Sequence, residues 1–193
     1  MSFNNGFTAV TGATYTAAQY NTYVRDNFTA IWVGTTAGDL DYYSSSTAKT
    51  RLAIGASGYY LTSTGTAPAW SAFYRYMSFL LNTDLALNTG DDAVRFRIPA
   101  ALNGWNIATV AMSRKSGTGV LTIQLRNVTD AVDILSTKLT VDSGETDSST
   151  AAAAAVINTA VDDVATGDQF AIDVDVAGTS TLYAFVEIGF LKP

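Results

Sequence analysis

Residues 74–191 place the strongest constraint on the fold, because short runs of β-type residues there alternate with turn signals. The runs are Met77–Leu81, Ala93–Ile98, Trp105–Met112, Gly119–Arg126, Ile134–Val141, Gln169–Val176 and Leu182–Leu191. Asn103-Gly104, Ser116-Gly117 and Gly178-Thr179-Ser180 are among the turn signals between them. Many short antiparallel strands predict a jelly-roll-like antiparallel β-sandwich over residues 73–193 in a mainly β chain.

Within this region, the run AIDVDV has the alternation of a strand with one wet face. Its apolar residues up to Val176 should face the core, and Asp173 and Asp175 should face solvent. The stretch Ser148–Val164 interrupts the β pattern with a run of alanines. It is either a helical turn favoured by alanine or an extended crossover linker with one short turn.

Ahead of the β region, residues 17–32 show the periodicity of an amphipathic helix. Its apolar face consists of Tyr20, Tyr23, Val24, Phe28, Ile31 and Trp32. Thr16 and Gln19 fit a capping box, which predicts a short N-terminal helix from about Ala17 to Trp32. A helix of this length is marginal alone in water, so we expect its aromatic face to pack on other chains or a larger assembly.

Residues 34–71 form an extended segment of short apolar pieces punctuated by glycine and serine. Each piece is too short to form a stable sheet of its own, so we expect the segment to order along another surface. In three copies wound around one axis, the side chains that would fill the centre are Leu40, Leu52, Ile54, Leu61 and Trp70. We therefore predict an N-terminal anchoring and trimerisation segment over residues 1–72.

The same segment carries a motif of glycines, a proline and a tryptophan in register. The motif residues are Gly38, Asp39, Leu40, Tyr42, Arg51, Leu52, Ile54, Gly55, Gly58, Leu61, Gly65, Pro68 and Trp70. Together with the preceding helix, they resemble a module common in virion proteins of tailed bacteriophages, which tail fibres and capsid-attached proteins share. The resemblance covers about the first third of the chain and implies a homotrimeric, non-enzymatic structural part of the particle.

The composition excludes several classes of chemistry. The chain has no His and no Cys, which excludes Ser-His-Asp and Cys-His nucleophiles, thiolate metal sites and disulfides. A net charge of -6 disfavours binding to nucleic acid. No apolar run reaches the roughly 18 residues of a membrane helix, and MSFNNGFTAV lacks the pattern of a secretory signal. We expect no catalysis, no cofactor and no membrane partner. The resemblance to phage virion proteins implies assembly in the bacterial cytoplasm.

Acidic residues suggest two further sites, each with a simpler alternative. The densest cluster is Asp162, Asp163, Asp168, Asp173 and Asp175. Its oxygen ligands suit calcium, but its spacing lacks a continuous calcium loop, and a solvated surface is the preferred interpretation. Glu145 and Asp147 would serve glycoside hydrolysis if they faced each other across a cleft, but a solvated turn is the strongly preferred interpretation. We predict neither a metal site nor a catalytic site.

Two tyrosine doublets, Tyr42-Tyr43 and Tyr59-Tyr60, are candidates for surface contacts. Adjacent side chains of an extended chain point in opposite directions, so one ring of each doublet is available to solvent or a glycan. Burial in a subunit interface is the favoured interpretation, because tyrosine is enriched in interfaces. Among the basic residues, Arg114 is expected at a hairpin.

These observations predict a homotrimer on the virion surface, anchored by its first segment with the sandwich facing outwards. Its partners would be copies of itself and other virion proteins, either the major capsid protein or tail proteins. Two positions stay open: a capsid-decoration or head-fibre protein, or a tail-fibre or tail-tip protein whose sandwich binds a host glycan. A single motif copy without shaft repeats favours compact attachment to the capsid.

Overall fold

The chain divides into two units, one ending at Ala72 and the other comprising Phe73–Pro193. The computed structural model describes residues 11–12, 14, 16–46 and 48–193. The stretch MSFNNGFTAV, in which we expect no secretory signal, lies outside the described residues. In the part of the chain that is described, no helix is both long enough and apolar enough to cross a membrane.

One short helix precedes the strands of the first unit. It consists of α1 (Ala17–Tyr20), a π-helical turn (Asn21–Arg25) and α2 (Asp26–Ile31). The predicted capping box is confirmed: the Thr16 hydroxyl accepts a hydrogen bond from the Gln19 backbone N–H, and the Thr16 N–H donates to the Gln19 side chain. The π-helical turn is not predicted by the sequence pattern. There the Asn27 side-chain amide donates to the Tyr23 carbonyl oxygen at 2.9 Å, competing with the regular helix bonds.

Two antiparallel hairpins follow the helix. Strand β1 (Leu40–Tyr43) pairs with β2 (Lys49–Leu52), and β3 (Tyr59–Ser63) pairs with β4 (Pro68–Ala72). The short pieces thus pair with one another in two-stranded sheets, a pairing that the sequence pattern does not predict. Each pair is joined by a short loop, so little loop-closure entropy opposes the pairing.

The second unit contains nine strands and two short 3₁₀ turns. The strands are β5 (Tyr74–Leu80), β6 (Gly90–Arg97), β7 (Trp105–Asn127), β8 (Val132–Asp133), β9 (Leu135–Thr137), β10 (Leu139–Val141), β11 (Val156–Ile157), β12 (Asp163–Val164) and β13 (Gln169–Leu191). The 3₁₀ turns are Ala100–Leu102 and Ser148–Thr150.

Strands β7 and β13 form the centre of a large antiparallel sheet. They pair along their whole length, from Asn106 opposite Leu191 to Asn127 opposite Phe170. Strand β6 pairs with the first part of β13, and β5 pairs with its last part. Strands β8, β10 and β12 pair with β7, while β9 and β11 pair with each other.

Both long strands bend near their middle. Gly117 and Gly178 have positive φ values of 134° and 67°, and the register of β13 against β7 shifts between Ala177 and Leu182. The sequence signals at Ser116-Gly117 and Gly178-Ser180, predicted to be turns between strands, are therefore bends within strands. A glycine in a bulge has the same local signature as a glycine in a turn, which explains the error.

The bend curls the sheet until its two ends enclose a hydrophobic core. Phe79 of β5 stacks on Phe96 of β6 with ring centroids 4.3 Å apart, and Phe96 in turn stacks on Phe170. Strands β5 and β6, which pair with opposite ends of β13, therefore face each other. The prediction of a mainly β chain with a short N-terminal helix and a β-sandwich-like unit is confirmed.

Three predictions about single residues in this unit are wrong. Val176 is exposed instead of facing the core, because β13 shifts register between Val174 and Val176. Asp173 is buried instead of solvated, because it forms an ion pair with Arg126. Arg114 does not lie at a hairpin but is buried within β7.

The stretch Ser148–Val164 is extended, as the second of the two alternatives predicts, but it contains two short turns, Ser148–Thr150 and Asn158–Val161, instead of one. Only Ser148–Thr150 is helical, and the following alanines are not. Contacts distant in sequence hold the stretch open: the Ala152 N–H donates to an Asp142 carboxylate oxygen, and the Asn158 N–H donates to the Ile134 carbonyl oxygen. These tertiary contacts override the high intrinsic helix propensity of alanine.

Candidate attachment surface

The side chains predicted to form the anchoring or subunit interface all lie in the first unit, and none of them is buried there. Exposed are Tyr20, Phe28, Ile31, Trp32, Leu40, Ile54 and Leu61, while Tyr23, Val24, Leu52 and Trp70 are half-buried. The fraction exposed reaches 63% for Phe28 and 78% for Trp32. The structure thus leaves most of the predicted residues accessible to a partner.

The turn before β1 is organised by the carboxylate of Asp39, whose side chain is 2% exposed. One of its oxygens accepts hydrogen bonds from the backbone N–H groups of Thr35 (3.0 Å) and Thr36 (2.8 Å) and from Arg51 Nε (2.6 Å). The other accepts from the Ile54 N–H at 3.2 Å. One side chain therefore ties the segment before β1 to β2 and to the chain that follows it.

These contacts also set the protonation of Asp39. Burial alone would raise the pKa of its carboxyl group, because it penalises the charged form. The backbone N–H groups and the Arg51 guanidinium outweigh burial and hold the pKa at about 2. The carboxylate is therefore charged across the physiological range, and its four hydrogen bonds persist with it.

A second set of contacts links the two hairpins through Trp70. Its indole N–H donates to the Ala53 carbonyl oxygen at 2.7 Å. Its ring lies so close to Gly55 that a Cβ atom there would come within 2.5 Å of it. A Cβ atom on Gly38, where φ is +90°, would likewise come within 2.4 Å of the Ile54 side chain. These motif positions require glycine for close approach.

The motif residues therefore divide into two groups with different roles. Gly38, Asp39, Arg51, Gly55 and Trp70 build a frame from contacts inside the unit. The remaining apolar motif residues project from that frame with much of their surface open to solvent. Sequence spacing alone predicts all the apolar residues as interface and does not distinguish Trp70, whose contacts lie within the unit.

The C-terminal end of the helix borders an open depression of about 430 Å³. Its lining residues are Trp32, Gly34, Thr35, Thr36, Asp39, Leu40 and Asp41. Trp32 and Leu40 give it two large apolar side chains, while the ordered backbone of the Asp39 turn forms part of its wall. A partner side chain of moderate size would fit this depression.

Tyrosines next to the predicted set extend the exposed surface. Tyr43 is exposed beside half-buried Tyr42, as the alternation of side chains in a strand predicts. The Lys49 ammonium lies 5.2 Å from the centre of the Tyr43 ring. Tyr59 and Tyr60 are both exposed, so this doublet does not have the expected buried member within its own unit. In the sequence, these tyrosines are recognisable as candidates for surface contacts because they occur as adjacent pairs.

The acidic residues considered as a calcium site are dispersed and individually engaged. Asp162 accepts from the Asn106 side-chain amide, Asp168 from the Ala165 N–H, and Asp175 from Lys138. Across residues 11–12, 14, 16–46 and 48–193, no group of three or more acidic side chains is placed to hold a metal ion. Proximity in sequence therefore does not bring these residues together in space.

The second acidic pair stabilises its own loop. The Glu145 carboxylate accepts a hydrogen bond from the Thr150 hydroxyl at 2.7 Å, and the Asp147 carboxylate accepts one from the Ser149 N–H at 2.7 Å. The second contact caps the Ser148–Thr150 turn. Hydrogen bonding from the Ser149 side chain, and then from its backbone N–H, lowers the pKa of Asp147. These contacts give both carboxylates a structural role in the loop.

No protein-family model matches the chain, and no curated protein sequence matches it.

Proposed function

We propose that this protein is a non-enzymatic structural protein of a tailed-phage virion, attached to the capsid surface as a homotrimeric decoration or head-fibre protein. The first unit would bind neighbouring copies and the major capsid protein, and the second unit would form the outward-facing part. The observation that carries this proposal is the exposure of large apolar side chains of the first unit, among them Phe28, Trp32 and Ile54.

A surface of this kind favours association. Burying one large apolar side chain contributes about 1.5–3 kcal/mol, and stable interfaces bury about 1,200–2,000 Å² in total. The Asp39 and Trp70 contacts hold the backbone in place, so little further ordering is needed on binding. A fixed frame with projecting aromatic side chains is suited to repeated contacts between identical copies.

The trimer is tested with the purified full-length protein by light scattering after size-exclusion chromatography. We expect a mass of three chains for the wild type and a shift toward monomer for Trp32→Ser. Leu85→Ser is the matched control, because Leu85 is 80% exposed in the second unit and should leave the mass unchanged. A wild-type monomer at all concentrations, or an equal effect of both substitutions, would contradict a trimer held by the first unit.

The position on the particle is tested by cryo-electron microscopy of virions with and without the protein. Many copies at threefold positions of the head would support decoration. Added protein should then bind heads that lack it and raise their resistance to heat, because it stabilises only the assembled state. A few trimers at the tail would reject this position in favour of the second candidate.

The second candidate is a tail-fibre or tail-tip protein whose β-sandwich-like unit binds a host cell-surface glycan. It is favoured by two stacked tyrosines on β5, Tyr74 and Tyr76, whose ring centroids lie 6.1 Å apart. Tyr76 is 55% exposed and lies against Gly189, where a Cβ atom would come within 2.8 Å of its ring. Sugar rings pack on exposed aromatic faces of this kind.

Competition for adsorption separates the two candidates. A glycan-binding trimer would coat host cells and block infection, and Tyr76→Ser would abolish this effect without changing the mass of the trimer. A decoration protein would leave adsorption unchanged at any concentration.

A further inference from the structure

A polar pocket lies on the outer face of the sheet, the face turned away from the core, where β5, β13 and β7 are neighbours. Phe185 and Glu187 of β13 are exposed on this face, whereas Val186 between them is buried in the core. Glu187 lies opposite Ser78 of β5, and Phe185 lies opposite Ser113 of β7. Directly opposed residues of adjacent strands have their side chains on the same face, so these side chains surround one place on the sheet.

The loop after β10 closes one side of this pocket. Asp147 forms an isolated β-bridge with Ser113, and its carboxylate accepts a hydrogen bond from the Ser149 N–H at 2.7 Å. The same loop is held against β7, because the Met112 N–H donates to the Ser148 hydroxyl at 2.9 Å. These contacts order the loop without a ligand, so little further ordering is needed on binding.

The size of the pocket suits a ligand of one ring. Its volume is about 260 Å³, slightly below the about 300–1,000 Å³ of sites for drug-sized ligands. Two carboxylates and two hydroxyls line it, and Phe185, which is 46% exposed, supplies an apolar wall. Of the described residues that line it, none is basic. The pocket is therefore small, polar and negatively charged, with one aromatic side.

Three of its polar groups are not used by the protein itself. Within the described residues, the side chains of Ser78, Ser113 and Glu187 form neither a hydrogen bond nor an ion pair. A carboxylate only accepts hydrogen bonds, whereas a serine hydroxyl both donates and accepts. The pocket therefore has more acceptors than donors and suits a ligand that carries several O–H or N–H groups.

A sugar ring has this combination of groups. Its hydroxyls can donate charge-assisted hydrogen bonds to the carboxylates, and its C–H face can pack on the Phe185 ring. An acidic sugar would place a negative charge beside Asp147 and Glu187, whereas the ammonium group of an amino sugar would be attracted to them. We propose that this pocket binds one pyranose ring without acidic groups and prefers an amino sugar to its neutral counterpart.

The pocket continues into the stacked tyrosines of β5. Tyr76 lies on the same face as Ser78, two residues earlier in the strand, which is a separation of about 7 Å. The Tyr76 ring lies against Gly189 of β13. A second sugar linked to the first would therefore pack on Tyr76. The pocket rests on the glycan-binding candidate function proposed above and specifies the class of sugar.

Saturation-transfer NMR with the full-length protein tests this proposal. The probes are the methyl glycosides of glucose and galactose, of their 2-amino counterparts and of their uronic acids. Methylammonium is added as a probe of charge alone. In at least one of the two series, we expect the amino sugar to bind most tightly, the neutral sugar more weakly and the uronic acid not at all.

Two variants locate the binding in the pocket. Glu187→Gln should weaken binding of the amino sugar by about tenfold, because it removes a hydrogen bond to a charged group. Asp133→Asn is the matched control: Asp133 is an exposed acid on β8 outside the pocket, so its loss changes the net charge equally and should leave the affinity unchanged. Phe185→Ala should weaken binding of the amino and the neutral sugar alike, because it removes the apolar wall.

Four results would each overturn the proposal. They are a lack of binding to every sugar, uronic acids that bind as tightly as neutral sugars, equal affinities of Glu187→Gln and Asp133→Asn, and methylammonium that binds as tightly as the amino sugar. The glycan-binding candidate fails by a separate result, namely that the trimer does not coat host cells. A trimer that coats cells but whose sugar binding is insensitive to Glu187→Gln would reject this pocket and keep that candidate.

Discussion

The two units of this protein bury their apolar side chains to very different extents. Every buried apolar side chain of the described residues lies in the second unit, between Leu87 and Phe190. In the described part of the first unit no apolar residue is buried, while the polar side chains of Asn27 and Asp39 are. The second unit therefore has a core of its own, whereas the first is held by local hydrogen bonds around Asp39 and Trp70.

In the first unit, the contacts that order the backbone are therefore different from the apolar contacts that usually supply most of the stability. Hydrogen bonds and close glycine contacts specify its hairpins, but they contribute little net free energy compared with apolar burial. Its apolar side chains remain available to stabilise an assembly instead of the single chain.

Hydrogen exchange of the isolated chain should show the largest difference. We expect amides of β7 and β13 to exchange only through global unfolding, with a free energy of about 5–15 kcal/mol. Amides of β1–β4 should exchange much faster through local opening, and the trimerisation that we propose would slow exchange in the first unit alone. Equal protection of both units in the monomer would break the contrast.

Within the second unit, truncating a buried phenylalanine of the core should greatly lower the free energy of unfolding. Phe170→Ala should destabilise the chain by about 3–5 kcal/mol in urea unfolding followed by circular dichroism. Phe185→Ala on the same strand is the matched control, because Phe185 is 46% exposed while Phe170 is fully buried. Its cost should stay below about 1 kcal/mol. Similar costs for both would contradict the assignment of the core.

Disrupting the buried ion pair of the second unit should lower the free energy of unfolding by a smaller amount. Asp173 accepts hydrogen bonds from Arg126 Nε at 2.7 Å and from the Asp92 N–H at 2.7 Å. Asp173→Asn should cost about 1–3 kcal/mol, because it leaves a charged partner partly unpaired. Asp175→Asn, which disrupts only the exposed contact with Lys138, should cost about 0–1 kcal/mol. Urea midpoints of the two variants provide the comparison.

The smallest expected effect is the loss of the Asp39 hydrogen bonds when its carboxylate is protonated at low pH. The pKa of Asp39 is lowered from 3.8 to about 2 in the folded chain, so its carboxylate stabilises the turn fully above pH 4. This contribution is lost as the pH falls through about 2. Exchange at the Thr35, Thr36 and Ile54 amides, corrected for the intrinsic rate, should increase over this interval.

A matched pair of variants checks the role of the Asp39 carboxylate. Asp39→Asn should speed exchange at the same amides already at neutral pH, whereas Asp41→Asn on exposed β1 should not. An equal response of the two variants would show that the Asp39 hydrogen bonds do not hold the turn.

Much of the fold follows from local sequence, and the exceptions share one cause. The helix cap at Thr16, the mainly β pattern and the β-sandwich-like unit are all predictable from short windows. The bend at Gly117, the exposure of Val176 and the burial of Arg114 are not. Each of these depends on how β7 and β13 pair, and the two strands are far apart in sequence.

The contacts within the candidate attachment surface are likewise only partly predictable from the sequence. Apolar spacing predicts which residues belong to it, but it does not reveal that Trp70 donates to the Ala53 carbonyl oxygen inside the unit. Glycines at positions 38 and 55 signal close contacts, and only the structure shows that Ile54 and Trp70 are the neighbours.

The pairing of β13 with three earlier strands has a consequence for how the chain is made. Strands β5, β6 and β7 must all wait for β13, which follows them in the sequence, before the sheet can close. Such long-range pairing gives a high contact order and slow folding. During synthesis the first unit emerges long before this step, so its hairpins can order locally while the second unit is still incomplete.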